Sequence, residues 1–274
     1  DIGIYMNLFY LVENDYNRNK EPKFFNYVEN NLNFTKDIKK ADYILVLGGD
    51  GSLLDAIQSY KDLNIPFVGI HTGSIGYYMH NINLEKELHL FNKKLEILEF
   101  PMLHFRAEDS SGNIFEGDSF ADVWVERAKP QSLKYHICVD SNETSKYCNI
   151  DSDLIIGDGI LFSTPAGSTG YTKNLRGTIV PINTPIFQVV PMSSAIEKHT
   201  LKSFPLSLDN NSVEVFFESI DFRKGDLMYD GVEAKINDKN FVPKYLKVNK
   251  SDKNIKLAFL SINEFINKSY KWIL

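Results

Sequence analysis

The sequence predicts an α/β domain followed by an all-β, sandwich-like domain. Three observations carry this prediction. Short β-rich runs alternate with helix-like runs through the first third of the chain, the helical period disappears from about Phe100 onward, and a capped helical pattern returns at the end.

Residues 2–5 read as the first strand. Over 23–32 the apolar residues Phe24, Tyr27, Val28 and Leu32 recur at helical spacing, which buries one face. Residues 43–47 form a continuous apolar run that closes at Gly48, as in a strand buried on both faces of a parallel sheet. Leu53, Leu54 and Ile57 then return to helical intervals, and 65–70 is a further strand ended by a glycine-punctuated turn. Beyond Phe100, the runs 122–126, 135–139, 159–163 and 213–217 read as short, closely spaced strands of an antiparallel sandwich. Asp230-Gly231 reads as a hairpin turn between 227–229 and 232–236, outside any site. Residues 255–260 are a last strand, and Ser261 with Glu264 forms a capping box ahead of Phe265, Ile266 and Tyr270.

A chain of 274 residues with 43% hydrophobic content can bury one large core or two modest ones. Its 30 basic and 36 acidic residues leave a net charge of -6, which excludes a nucleic-acid-coating role. No apolar run reaches the roughly 18 residues of a membrane span, and the apolar start 2–12 has no basic leader or cleavage site. Cys138 and Cys148 read as reduced thiols of a soluble, cytoplasmic protein, since secreted disulfide scaffolds carry more cysteines in shorter chains. The six histidines show no spacing that would bind zinc on one helix face, so no metal site built on imidazole is expected.

Gly48-Gly49-Asp50-Gly51-Ser52 sits where a strand hands over to a helix, so its N–H groups and the helix N-terminus can cradle an anion. Asp50 is the unusual member. A carboxylate beside phosphates is repelled unless a divalent metal intervenes or the group accepts a proton. The alternative is a tight turn with Asp50 as an N-cap. A second turn from His71 to Tyr77, containing Gly73 and Gly76, follows the next strand, and such turns gather at the carboxyl ends of parallel strands where ligands bind. Later, Asp158 to Phe162 runs into a hydroxyl-rich loop, Ser163-Thr164-Pro165-Ala166-Gly167-Ser168-Thr169-Gly170-Tyr171, able to bond ribose, amide and phosphate groups.

These three segments, in this order, resemble the NAD kinase family, whose members carry a GGDG loop, a G-x-x-G-[FY] turn and a T-P-[TSA]-G-S-T-x-Y segment. The likeness runs through most of the chain, and 67–78 looks like the version in Gram-positive bacterial members. The resemblance implies a two-domain architecture: 1–99 as a Rossmann-like α/β domain, 100–258 as a β-sandwich-like dinucleotide-binding domain, and 259–274 as a helix returning to the first. It implies phosphoryl transfer from ATP or polyphosphate to the adenosine-ribose 2′-hydroxyl of NAD, with Mg²⁺ neutralising charge. Asp50 is then the catalytic carboxylate, and Gly48, Gly49 and Gly51, with Ser52 and Gly73, line the phosphates and cleft. Tyr77 matches an adenine-packing position, with plain core packing as the alternative. Asp158 matches an acidic position at the nicotinamide end, and Ser168, Thr169, Gly170 and Tyr171 hold the dinucleotide. A homo-oligomer, commonly a tetramer, is implied too, with no nucleic-acid or membrane partner.

Two departures stand out. The family's Asn-Glu pair is Ala121-Asp122 here, with Asp122 kept as the implied dinucleotide-binding residue of shorter reach, and an Ala-Gly-Gly-Pro-like stretch is Leu175-Arg176-Gly177-Thr178. They leave room for weakened NAD binding or for a dinucleotide-binding relative without turnover. A lipid kinase would share the GGDG loop, but the 163–171 loop is too polar to favour an apolar acceptor.

Overall fold

The computed structural model describes residues 6–73, 76–140, 150–151, 153–196 and 199–271. The chain divides into two compact units, 1–100 with 255–274, and 101–254. The expected strand over 2–5 lies outside the described residues.

In the first unit, Asn33–Phe34, Leu8–Leu11, Tyr43–Gly48 and Phe67–His71 lie side by side, every pair parallel. The end of the strand Tyr245–Phe259 joins them, Leu257 opposite Phe67. Every residue of Tyr43–Gly48 is buried, which its unbroken apolar run required. The expected helix over 23–32 is Pro22–Asn31, with Pro22 at its first turn and Phe25 and Val28 buried against the sheet core. A short helix, Asp15–Lys20, precedes it, capped by the Asn14 side chain. The closing helix Ile262–Tyr270 is capped by the Ser261 hydroxyl, which accepts from the Glu264 N–H at 3.3 Å. Its Phe265 stacks on Phe259 at 4.2 Å and meets Tyr78 and Phe100 at about 6 Å. Burying one such ring stabilises by roughly 1.5–3 kcal/mol.

The second unit is two antiparallel sheets closed over one core. One contains Leu133–Asp140, Ser212–Glu218 and the first part of Tyr245–Phe259; the other runs Phe204–Ser207, Ile186–Met192, Gly159–Ser163, Asp122–Arg127, Gly225–Tyr229, Val232–Glu233. Alternate residues point inward: Val123, Val125, Ile160 and Phe162 from one sheet meet Tyr135, Ile137, Val213 and Val215 from the other. The α/β-then-β order read from the sequence is the observed architecture.

The thiol expectation needs correction, because Cys138 is disulfide-bonded. The only other cysteine, Cys148, lies outside the described residues. Ile150 and Asp151 pair antiparallel with Val139 and Cys138, a pairing that cysteine number and spacing do not reveal.

Candidate functional site

Gly48 ends its strand and Gly49 is the N-cap of the helix Asp50–Tyr60. Asp50 is therefore the first helical residue and not the cap. Its carboxylate reaches away from its own helix: Oδ2 accepts from the Tyr77 N–H at 2.7 Å and Oδ1 from the Tyr78 N–H at 2.9 Å. Charge-assisted bonds of this kind fix both oxygens in place, and the helix N-terminus adds a favourable dipole. The GGDG loop and the turn after the next strand are thus joined through Asp50, and Thr72 N–H also donates to the Gly48 carbonyl at 3.1 Å.

The glycines differ in what surrounds them. A Cβ on Gly51 would meet nothing within 4 Å and one on Gly49 only His71 Nε2 at 4.0 Å, so both present open backbone. Gly48 is enclosed on the side where a side chain would stand. A Cβ there would lie 2.5 Å from Asn17 Nδ2 and 2.6 Å from Ser52 Oγ, so its bare face is filled by protein. Ser52 accepts from Asn17 Nδ2 at 2.9 Å, and the same amide reaches the Leu47 carbonyl. Asn17 was not foreseen; the signal was the Asn14-Asp15 start of an unrecognised helix. His71 has no zinc-site spacing, yet its Nδ1 accepts from the Gly73 N–H at 2.7 Å at the start of the second turn.

Tyr77, matched to an adenine-packing position, is only 3% exposed. Its ring meets Tyr78 edge-on at 4.8 Å and Phe265 at 5.9 Å, which is the core-packing alternative. Burial pushes its hydroxyl above the usual phenol range.

In the second unit, Asp122 and Ser163 pair across neighbouring strands, so the 163–171 loop starts beside the 119–122 turn. Thr164 Oγ1 donates to the Phe120 carbonyl at 2.8 Å, and its N–H to the Ala121 carbonyl. Gly167 is required, since a Cβ would sit 2.4 Å from the Ala121 carbonyl oxygen. Ser168 is engaged within the loop itself. Its buried hydroxyl donates to the Pro165 carbonyl and accepts from the Val180 N–H, so it closes the loop on itself. Thr169 is half-buried and Gly170 exposed, and these two reach the surface. The Tyr171 ring lies edge-on over Trp124, and its hydroxyl donates to Glu126 at 3.2 Å; burial and Glu126 raise its pKa. Asp158 is not with this loop. It precedes Gly159–Ser163, five residues and so about 16 Å of strand away, and is paired with Arg127 at 2.9 Å.

The turn 119–122 is held by Asp230, which the sequence reads as a hairpin residue outside any site. Asp230 does occupy a hairpin turn, with positive φ at both Asp230 and Gly231 and Tyr229 paired to Val232. Its carboxylate is also buried, accepting from Ser119 Oγ and from the N–H groups of Phe120, Ala121 and Asp122. Burial pushes Asp122 well above the ordinary aspartate range, with Asp230 adding repulsion. Burial raises Asp230 as well, but its four donors favour the charged form, so Asp122 is the carboxyl pushed further toward the protonated form.

A folded-state pKa raised above 3.8 means the stability contributed is present below that value and is lost as pH rises through the folded value. Asp122→Asn removes that ionisation. The variant should melt higher than the natural chain at pH 7 to 8, by about 2–4 °C if the gain is near 1 kcal/mol. The difference should vanish below about pH 4. An equal gain at every pH would show that ionisation of Asp122 is not the cause.

Residues 6–87 match the ATP-NAD kinase N-terminal domain. An NAD kinase of Rickettsia prowazekii is 30% identical over 246 residues, 89% of this chain and 90% of the relative. An NAD kinase from Archaeoglobus fulgidus, solved in complex with ATP, superposes with a TM-score of 0.69 at 19% identity over 97% of each chain. The yeast NADH kinase complexed with NADH gives 0.75 at 15% identity, over 97% of this chain and 87% of the yeast one. The fold and the sequence relatives agree, and the chain belongs to the NAD kinase family.

Proposed function

We propose that this chain transfers the γ-phosphoryl group of ATP, or a terminal group of polyphosphate, to the 2′-hydroxyl of the adenosine ribose of NAD, forming NADP. The carrying observation is Asp50, whose two oxygens are fixed by the Tyr77 and Tyr78 N–H groups at a helix N-terminus with open glycine backbone on either side. In this reading Asp50 takes the proton of the 2′-hydroxyl, the ribose oxygen bonds to the γ-phosphorus, and the bond to the β-phosphate oxygen breaks, releasing ADP. Little covalent help is needed, so positioning carries most of the rate.

Family membership supports the activity, and relatives bound to ATP and to NADH support the two ligand classes. Mg²⁺ enters with the triphosphate. Among the described residues no group of three or more His, Cys, Asp or Glu could hold a metal ion, while one carboxylate beside substrate phosphates suits Mg²⁺. When bound it supplies charge neutralisation at the phosphates, and Asp50 is the residue that would contact it.

Thr169, Gly170 and Tyr171 would hold the dinucleotide in this reading, along with the turn at Ala121. Asp158, at the far end of its strand, would serve the site of a neighbouring subunit in a homo-oligomer, for which light scattering should return a tetramer. The setting is the cytoplasm, which cell fractionation tests.

The deciding assay is purified chain with Mg²⁺, ATP or polyphosphate, and NAD or NADH, followed by a dehydrogenase specific for NADP(H). Turnover with NAD is expected; binding without turnover under any donor would reduce the protein to a dinucleotide sensor. Ala121→Asn restores a side chain able to bond a ligand. It should tighten NAD binding by up to about tenfold, the worth of one hydrogen bond. Equal affinity in calorimetric titration would mean that position 121 does not meet the ligand.

A further inference from the structure

The closing helix places Lys268 and Ser269 behind the turn that grips Asp50. The Lys268 ammonium donates to the Gly76 carbonyl and, at 3.0 Å, to the Met79 carbonyl. The Gly76 carbonyl belongs to the same peptide group whose N–H, on Tyr77, donates to Asp50 Oδ2. One amide plane therefore carries a cation at its oxygen end and the carboxylate at its nitrogen end. Hydrogen bonds in such a chain polarise one another, so the grip on the oxygen strengthens the N–H bond to Asp50. The Met79 carbonyl pins the other end of the turn, and Ser269 hydrogen-bonds the Tyr77 hydroxyl between them.

We infer that Lys268 is a positioning residue for phosphoryl transfer: through the Gly76–Tyr77 peptide it fixes the orientation of the Asp50 carboxylate without touching substrate. The inference rests on the assignment of Asp50 as the catalytic carboxylate. Lysine suits the task because a compact ammonium on a long stem can donate to two carbonyls at once from a half-buried helix face. Burial holds its pKa below the ordinary lysine range, and the nearby Asp50 charge opposes that shift. Local pattern does not point to it, since Lys268 lies 192 residues from Gly76.

A cavity of about 500 Å³, lined by Met79, His80, Glu264, Phe265 and Lys268 among others, adjoins the ammonium. A small alkylammonium ion can therefore enter and replace a deleted side chain. Lys268→Ala should lower kcat by about 100-fold, the cost of misplacing a reacting group by around 1 Å, with KM for NAD nearly unchanged. Added n-propylammonium should recover much of the lost kcat. Hydrogen exchange at 76–80 should accelerate in the variant while the strands Tyr43–Gly48 and Phe67–His71 stay protected.

Undiminished kcat in Lys268→Ala overturns the inference. So does a loss that n-propylammonium does not restore when exchange rises across the whole first unit, which marks general destabilisation. If the natural chain itself fails to phosphorylate NAD, the functional reading falls instead. Exchange at 76–80 then still decides the structural half, and unchanged protection in the variant ends it.

Discussion

Asp50→Asn should lower kcat by at least about 100-fold while NAD still binds with nearly its natural affinity. The substitution keeps the shape and removes the charge. Asparagine can accept from only one of the Tyr77 and Tyr78 N–H groups, so its NH₂ must face the other donor. Losing one such charge-assisted bond costs roughly 1.5–3 kcal/mol of local stability, which does not explain a 100-fold loss in a chain that remains folded. The drop in turnover would then report the missing carboxylate, as proton acceptor and as the contact for Mg²⁺. Steady-state kinetics with a coupled NADP assay, alongside calorimetric NAD titration of the same variant, separate the two effects. Natural turnover in Asp50→Asn would remove the carboxylate from the chemistry, and a parallel loss of NAD affinity would recast it as a binding group.

The parts of this molecule that were legible in the sequence are those written in local pattern. The unbroken apolar run before Gly48 showed a central strand, the period-two runs after Phe100 a sandwich, and Ser261 with Glu264 a helix start. The glycine loop flagged Asp50 because a carboxylate there violates the usual logic of an anion cradle. What the pattern could not show was partner choice across the chain. The donors that fix Asp50 lie 27 and 28 residues away, and both are backbone groups that any residue type supplies. Ser168 looked like a ligand-binding hydroxyl, but closing the loop on Val180 had first claim on it. Tyr77 matched a binding position, while its ring is taken up by Phe265 of a helix at the other end of the sequence. Small polar residues in a tight loop serve the loop before they serve a ligand, and composition cannot distinguish the two uses.

Asp230→Ala should be the most destabilising substitution in the second unit's site region, by roughly 2–4 kcal/mol at neutral pH. Four donors lose their acceptor: the Ser119 hydroxyl and three consecutive N–H groups at Phe120, Ala121 and Asp122. Ser119 retains the Asp122 carbonyl as an alternative acceptor, but the backbone groups are buried in a tight turn, and each orphaned donor costs about 1–3 kcal/mol. Two terms work in the other direction. Burial already pushes the Asp230 carboxyl up from its ordinary range, and its charge repels Asp122, so deletion relieves both. The donors outnumber these penalties, which sets the sign. The consequence extends to the binding loop, because the Ala121 and Phe120 carbonyls that anchor Thr164 belong to the same turn. Urea unfolding should therefore show a lower midpoint, and NAD affinity should fall with it. Asp230→Asn should lie between the two chains, since one oxygen remains to accept from Ala121 and Asp122 while the amide nitrogen opposes Phe120. An Asp230→Ala variant with the natural unfolding midpoint would mean that the turn holds its shape without this carboxylate, and the buried aspartate pair would then need another reason to exist.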